Sequence, residues 1–450
     1  MSQLPHFSLK KPDLKKVDRG KVIAVLEKDP TKYRKLLEEA NEPSYIYWDK
    51  FQYKVQDNIL DSEELWYLIR QFRNISSTEI LIKSEGGEFF KWLRLPSTEE
   101  YLHEIDMVSG GQLLPYPNVI SQSNQQTFIN RGIIEEAIAS SQLEGAHTTR
   151  AVAKKMIIEK REPRNESERM IFNNYKTINA IEEDYKSKNL SLDLLFEIHG
   201  MLTQETVNKT EQNRLRNDKD EIAVQGQIGS TEYISHVPPN ERFVKSEINR
   251  LIEYANDQTN EKFTHPIIKA IFLHFWVGYL HPFTDGNGRL ARALFYWYLL
   301  RKGYWTFMFL PISTVIKKAP GQYSLAYIYS EQDGLDITYF YDFHLRKILQ
   351  AIREFQSYLE NKIKENKKVD MIISKKIVLN ERQKQLVHYF ISDTNPSTTV
   401  SSHSVVNNVS RQTAAKDLKQ LESVSFLYSK KEGKYVRYYP SEKLIEMAKR

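Results

Sequence analysis

The 450-residue chain contains no cysteine. Disulfides, thiolate zinc sites, iron–sulfur clusters and a cysteine nucleophile are therefore excluded, and the absence suits a reducing cytosol. Long hydrophobic runs are missing too. No apolar stretch approaches the ~20 residues needed to span a bilayer, and the opening MSQLPHFSLKKPDLKK has no apolar signal-peptide core. The expectation is a cytoplasmic protein without membrane contact. Neither a GxxxxGK[ST] phosphate loop nor an HExxH zinc helix occurs. Internal repeats and low-complexity tracts are absent as well.

What the chain does have is apolar and aromatic mass: 40% hydrophobic residues, with 26 Tyr, 21 Phe and 6 Trp. That suffices for two or three domains at roughly 100–200 residues each. The net charge of +6 is unevenly spread. Residues 371–450 hold 14 Lys/Arg against 7 Asp/Glu, whereas the first 370 hold 50 against 51. The positive excess is confined to the C-terminal stretch and favours an anionic partner there, although a solvated basic face gives the same bias.

Along the chain, residues 1–40 read as a loose arm plus a short helix. The aromatic alternation of YIYWDKFQYK (45–54) predicts short strands or a sheet edge. DSEELWYLIRQFRN (61–74) has an acidic start and places Leu65, Leu68 and Ile69 on one helix face. Three-to-four-residue apolar spacing then predicts helices over 125–145, 166–187, 191–205, 242–256, 266–280, 288–302 and 336–365. Between them, EIAVQGQIGSTEYISHVPP (221–239) has β-branched residues on either side of Gly-Ser and ends in Pro-Pro, the pattern of a β-hairpin. ENKKVDMIISKK (365–376) reads as a linker. Beyond it, three helices and a two-stranded wing around Glu432-Gly433 are expected.

The most informative stretch is LHPFTDGNGRLAR (280–292), polar residues set between the apolar runs IIKAIFLHFWVGYL and ALFYWYLL. Pro282 must break the preceding helix. Gly286 and Gly288 permit close backbone approach just where a new helix begins, and a glycine-containing loop opening a helix aims unpaired N–H groups at one point, a geometry that binds phosphate. Arg289 and Arg292, three apart, share a helix face near that N-terminus. Asp285 is an oxygen ligand suited to Mg²⁺, and His281 is a candidate general base for a hydroxyl. A lone histidine at a helix end is more often a cap, and two arginines often merely pair with acids. The ordered set, however, reads as a nucleoside triphosphate site with a base in place. His265 and His274, on the helix before the loop, read as core or supporting residues.

HPFTDGNGR followed by LAR resembles the Fic motif, HPFx[D/E]GNGRxxR, at every specified position. The resemblance extends to YIYWDKF, LHEIDMVSGG (102–111), the helical core and the C-terminal part. It implies a mainly α fold: a Fic helical bundle with a β-hairpin flap, a small N-terminal α+β region and a C-terminal winged-helix domain. The corresponding boundaries are 1–111, 112–364 with an inhibitory helix near 133–145, a linker at 365–376, and 377–450. Fic proteins are chiefly adenylyltransferases, so the resemblance implies transfer of AMP from ATP to a Ser, Thr or Tyr hydroxyl of a target protein. His281 would be the catalytic base and Asp285 the Mg²⁺ ligand. Phe283, Gly286, Asn287, Gly288, Arg289 and Arg292 would bind the nucleotide, with Arg292 on the γ-phosphate, and Tyr323 is a candidate adenine contact.

SSQLEG (140–145) is similar to the inhibitory [S/T]xxxE[G/N] pattern of one Fic class. Ser140, Glu144 and Gly145 match it, so Glu144 would pair with Arg292 and Gly145 would cap the helix. In some relatives the same glutamate supports removal of AMP. Gln227, Ile228, Gly229 and Val237 fall where Fic proteins have the flap that docks the target. SRQTAAKDLKQLE and SKKEGKYVR resemble a recognition helix and a basic wing, which implies DNA as a partner or, alternatively, protein docking. Ser425 departs from the glycine often found before such a wing. Self-association as a homodimer is a further implication. Two alternative functions stand beside AMP transfer: a DNA-binding regulator with a nucleotide-sensing Fic core, and transfer of another nucleotide or phosphate group.

Overall fold

The computed structural model describes residues 4–109, 122–228, 231–259, 262–372, 377–393, 396–432 and 435–449. It is mainly α-helical. The N-terminal part comprises α1 (Arg19–Lys28), α2 (Pro30–Asn41), α3 (Trp48–Lys54), α4 (Ser62–Ser76), the antiparallel pair β1 (Thr78–Lys83) and β2 (Phe89–Trp92), and α5 (Pro96–Ser109). The central part follows with α6 (Gln122–Leu143), α7 (Arg150–Ile158), α8 (Glu166–Ala180, prolonged by a π-turn over Ile181–Tyr185) and α9 (Leu192–Thr203). Next come the hairpin β3 (Val224–Ile228) and β4 (Thr231–His236), then α10 (Glu241–Ala255), α11 (Pro266–Leu280), α12 (Asn287–Arg301), α13 (Ile312–Ile316), α14 (Pro320–Gln332) and α15 (Thr338–Ile372). The C-terminal part holds α16 (Glu381–Ser392), β5 (Thr398–Thr399), α17 (Val400–Asn407), α18 (Arg411–Ser423), β6 (Leu427–Glu432), β7 (Tyr435–Pro440) and α19 (Glu442–Lys449).

The centre of the molecule is the antiparallel pair α11 and α12. Both are enclosed: Phe272, Phe275, Trp276, Leu294 and Trp297 are fully buried, and the polar Lys269, His274, Arg289 and Arg292 are buried with them. Pro266 occupies the first turn of α11 behind the His265 cap, a position where its missing N–H costs nothing. Around this pair lie α6, α8, α9 and α15. Glu136 of α6 fixes that helix to the centre by accepting from the Tyr296 hydroxyl and the Ser313 amide, each at 2.9 Å.

The structure differs from the sequence expectation at the N-terminus, and also beyond residue 364. There α15 runs on through the expected linker to Ile372, and among the described residues four helices and three strands stand in place of three helices and a two-stranded wing. Residues 45–54 were expected as strands, yet Trp48–Lys54 is helical. Trp48 and Phe51, three apart, bury together against Trp66 of α4, so tertiary packing of the rings overrides their β preference. The first forty residues contain two helices instead of one short one, started by Asp18 and Asp29 caps and by Pro30. The buried Arg73 closes this N-terminal core, donating to the Ala40 and Ile46 carbonyls and stacking on Tyr45 at 3.8 Å.

Residues 365–372 continue α15, and Val369 enters a C-terminal core with Leu386, Val387, Phe390, Leu418 and Phe426; residues 373–376 lie outside the described residues. In the C-terminal part, β7 pairs antiparallel with both β5 and β6. Gly433, at the expected wing turn, lies outside the described residues. Ser425 adopts a left-handed φ of 61°, the conformation glycine takes at no steric cost. Among the described residues no helix is long and apolar enough to cross a membrane.

Candidate active site

The loop between α11 and α12 is built by its own side chains. α11 ends at His281, whose backbone is left-handed (φ 46°, ψ 58°), a conformation that costs a non-glycine residue roughly 1–2 kcal/mol. Pro282 prevents continuation. Asn287 then closes the loop: its Oδ1 accepts from the Phe283 N–H at 2.9 Å and its Nδ2 donates to the Phe283 carbonyl at 2.8 Å. The Phe283 ring is buried and stacks on His199 of α9 at 3.6 Å. His199 Nε2 in turn bonds the Asp285 carbonyl at 2.9 Å. Burial holds the His199 pKa down to about 4, so the ring is neutral and its Nε2–H is the donor. Gly286, at φ 83°, caps α12, and a side chain there would strike Thr203.

Phe283 and Asn287, expected as nucleotide contacts, are thus occupied with the loop itself. Arg289 is fully buried; it donates to the Leu202 carbonyl at 2.9 Å and to Asp285 Oδ2 at 2.8 Å. Its direct contact here orients the Asp285 carboxylate, which stays half exposed. Asp285 fits a Mg²⁺ ion in one respect: it offers a hard, solvent-accessible oxygen beside a helix N-terminus. Among the described residues no group of three or more His, Asp or Glu gathers to hold a metal.

His281 is half-buried. Burial pushes its pKa down to about 3, with His236 and Arg216 adding to the shift and the Gly278 carbonyl opposing it. The imidazole is therefore neutral at physiological pH, the form a proton acceptor needs.

Ser140, Glu144 and Gly145 stand at the C-terminal end of α6. Arg292 of α12 donates from Nε to Ser140 Oγ at 2.7 Å, and from Nη2 to the Ser140 carbonyl and Glu144 Oε1, each at 2.9 Å. Burial would lower the arginine pKa, but Glu144 and the neighbouring Tyr323 and Glu136 raise it further. Glu144 also lies over the start of α12, where a Cβ added to Gly288 would collide with its carboxylate. The first N–H groups of a helix attract anions, and here the chain's own carboxylate sits at that place. Gly145, at φ 93°, follows the helix end, and the Ala146 amide returns to the Ser141 carbonyl at 3.0 Å, a Schellman closure.

Tyr323 is half-buried and accepts from or donates to His274 Nε2 at 2.8 Å, placing it in the aromatic wall behind Arg292. His274 is buried in that wall. His265 caps α11 and pairs with Asp106 at 2.9 Å. On the hairpin, Gln227 and Ile228 belong to β3, Val237 follows β4 with an exposed side chain, and Gly229 lies outside the described residues.

Three features were not read from the sequence. The N-terminal segment pairs with the hairpin: Phe7 N–H donates to the Ile234 carbonyl and Ile234 N–H to the Pro5 carbonyl, each at 2.9 Å. His236, at the end of β4, bonds the Tyr279 carbonyl at 2.8 Å and Glu331 at 2.7 Å. Arg216 reaches the backbone of His281. Each joins segments far apart in the chain, so no local signal marks it.

The fold and site define a mainly α protein organised around a helix–loop–helix with an anion-seeking helix start and two buried arginines. Residues 189–299 match the family model described as Fic/DOC family; the chain carries a Fic/DOC-family domain there. It is 28% identical over 193 residues to "Protein adenylyltransferase Fic" of Nematostella vectensis, covering 43% of this chain and 38% of that protein. With "Protein adenylyltransferase fic-1" of Caenorhabditis elegans it shares 32% identity over 91 residues, 20% of this chain and 18% of that protein. The chain thus spans well under half the length of these curated relatives. Among solved structures, a Fic family protein from Desulfovibrio desulfuricans G20 aligns with a TM-score of 0.49 at 19% identity, covering 78% of this chain and 98% of that one. A Fic domain containing signaling protein from Bacteroides thetaiotaomicron aligns with a TM-score of 0.39 at 15% identity, covering 70% and 97%.

Proposed function

We propose that this protein transfers AMP from ATP to a hydroxyl side chain of another protein and restrains that activity with Glu144. The observation that carries the reading is the Arg292–Glu144 contact at 2.9 Å, with the same carboxylate lying over Gly288. A site that binds a carboxylate with a buried arginine and a helix start is suited to the tail of a triphosphate.

In the reaction, His281 accepts the hydroxyl proton as the target oxygen forms its bond to the α-phosphorus. The bond from that phosphorus to the bridging oxygen breaks, and pyrophosphate leaves. The backbone N–H groups at Gly286–Gly288 cradle phosphate oxygens, and Arg292 binds the terminal phosphate. Asp285 would hold Mg²⁺, which supplies charge neutralisation on the triphosphate. Most of the acceleration comes from positioning and preset charge. The target segment pairs along β3, because the far side of β4 is already taken by residues 5–7. With Glu144 in place, the terminal phosphate is denied Arg292 and the α-phosphate is not presented to the target. The same carboxylate, poised at the site, supports a reverse removal of AMP.

The test is transfer of label from ATP with Mg²⁺ into a lysate by wild type, Glu144→Gly and Glu144→Gly/His281→Ala. Label with Glu144→Gly alone supports transfer, brake and base together. No label from any variant, with ATP or other nucleotides, removes the reading.

A second reading, a winged-helix regulator that binds DNA, is favoured by exposed Arg411, Lys416 and Lys419 on α18 beside exposed Lys430 and Lys431 on β6. The neighbouring α17 lies on α6: the Thr127 hydroxyl donates to the Asn407 carbonyl at 3.3 Å and Asn408 to Gln126 at 3.0 Å. A ligand on α18 would therefore be one helix away from the helix that carries Glu144. Absence of duplex binding at low salt removes this reading.

A further inference from the structure

Arg216 lies between α9 and the hairpin, 65 residues before His281. It is 4% exposed, and all its hydrogen bonds go to backbone carbonyls. Nε donates to the His281 carbonyl at 2.6 Å, and Nη2 to the Leu280 carbonyl at 3.2 Å and to the Pro239 carbonyl. Its own backbone N–H donates to the Pro282 carbonyl at 2.9 Å. Burial pulls its pKa down, and Asp218, Asp220, Glu85 and Glu241 at longer range offset part of that.

The need for such a group follows from the chain. The last carbonyls of a helix have no intrahelical partner, and Pro282 removes the option of extending α11. His281 must meanwhile hold a left-handed backbone, uncommon for any residue other than glycine. Arg216 supplies donors to the two carbonyls at this end, and its positive charge lies where the helix dipole is negative. The third carbonyl, Pro239, is the exit of the hairpin. One guanidinium therefore ties the backbone of His281 to the strand pair that runs beside it.

We propose that Arg216 is a positioning residue that sets both the direction of the His281 imidazole and its distance from whatever segment docks on the hairpin. The inference rests on the reading of His281 as the base. Lysine is a poor substitute, because its single ammonium cannot match a fork that spans three carbonyls.

The experiment compares Arg216→Lys and Arg216→Met in the Glu144→Gly protein, using labelled ATP with a lysate as acceptor, calorimetric ATP binding, and crystal structures of both variants. Arg216→Met is expected to lower the transfer rate at saturating ATP on the order of 10²-fold, the effect of a displaced reacting group. ATP affinity should stay within about twofold of the parent, and Arg216→Lys should recover part of the rate. In the crystal, His281 of the Met variant should leave the left-handed region. Equal loss of rate and ATP affinity would overturn the assignment, as would an unchanged rate or a His281 backbone that stays put. If Arg216→Met does not fold, Arg216→Lys decides: a full rate overturns it, and about 10-fold loss with ATP binding retained supports it. If Glu144→Gly transfers nothing, the function reading fails, and the His281 backbone in the variant crystals still decides the role of Arg216.

Discussion

The α11–α12 loop and the C-terminal part each carry cationic side chains on a helix, and they use them in opposite ways. Arg289 and Arg292 are 0% and 3% exposed, each locked by hydrogen bonds of 2.7–2.9 Å. Arg411, Lys416 and Lys419 on α18 stand in solvent. Charge counting points to the second region, since the whole positive excess lies there. Yet exposed charges are screened within about 8–10 Å, whereas a buried guanidinium in a fixed geometry discriminates among anions because desolvation has already been met by folding. The comparison separates attraction from recognition: the tail supplies field, the core supplies geometry.

Four perturbations sharpen that contrast. The largest effect is expected from His281→Ala in the Glu144→Gly protein, where loss of a general base lowers label transfer by about 10²–10⁴-fold while ATP binding, followed by calorimetry, is retained. Glu144→Gly itself removes one of three bonds to Arg292. A charged hydrogen bond contributes roughly 1.5–3 kcal/mol, so a rise in transfer of the order of 10–100-fold is expected, and an unchanged rate would remove the brake. Adding Ser140→Ala should raise it again by a smaller factor, because the carbonyl of residue 140 still holds Nη2.

The third concerns pH. Burial holds the His344 pKa down to about 3 and His274 well below the ordinary histidine range; for His274, nearby His344 and Arg292 add to the shift. Both are neutral when folded and take up protons more readily when unfolded. Their contribution is intact above about pH 6.5 and is lost as pH falls from there towards 3. Thermal midpoints should drop over that window. His344→Phe, which removes one such group, should flatten the drop; a variant with an identical acid profile would contradict the account. The smallest effect is expected in the tail. Lys416→Ala with Lys419→Ala should change stability by less than about 0.5 kcal/mol and, if duplex DNA binds, lower the salt slope by about 2.

Helix limits were legible where periodicity and punctuation agreed. The spacing of 266–280 coincides with α11, bracketed by Pro266 and Pro282, and the hairpin was marked by β-branched runs around Gly-Ser. Aromatic-rich 45–54 misled because the same rings suit a strand or a packed helix, and only contact with Trp66 decides between them. Within the loop, the sequence marks where polar residues concentrate but not their assignments.

By itself the sequence determined that His281, Asp285, two glycines and two arginines lie within two helix turns of a break, because Pro282 and the flanking apolar runs act locally. The tertiary structure alone decided that Arg289 reaches the Leu202 carbonyl and that Arg216 grips the His281 backbone. It also decided that residues 5–7 cover β4 and that α17 rests on α6. The reason is separation along the chain. The Arg292–Ser140 and Arg216–His281 contacts span 152 and 65 residues, and bonds that close such loops are set by the packing of whole helices, which no local pattern encodes.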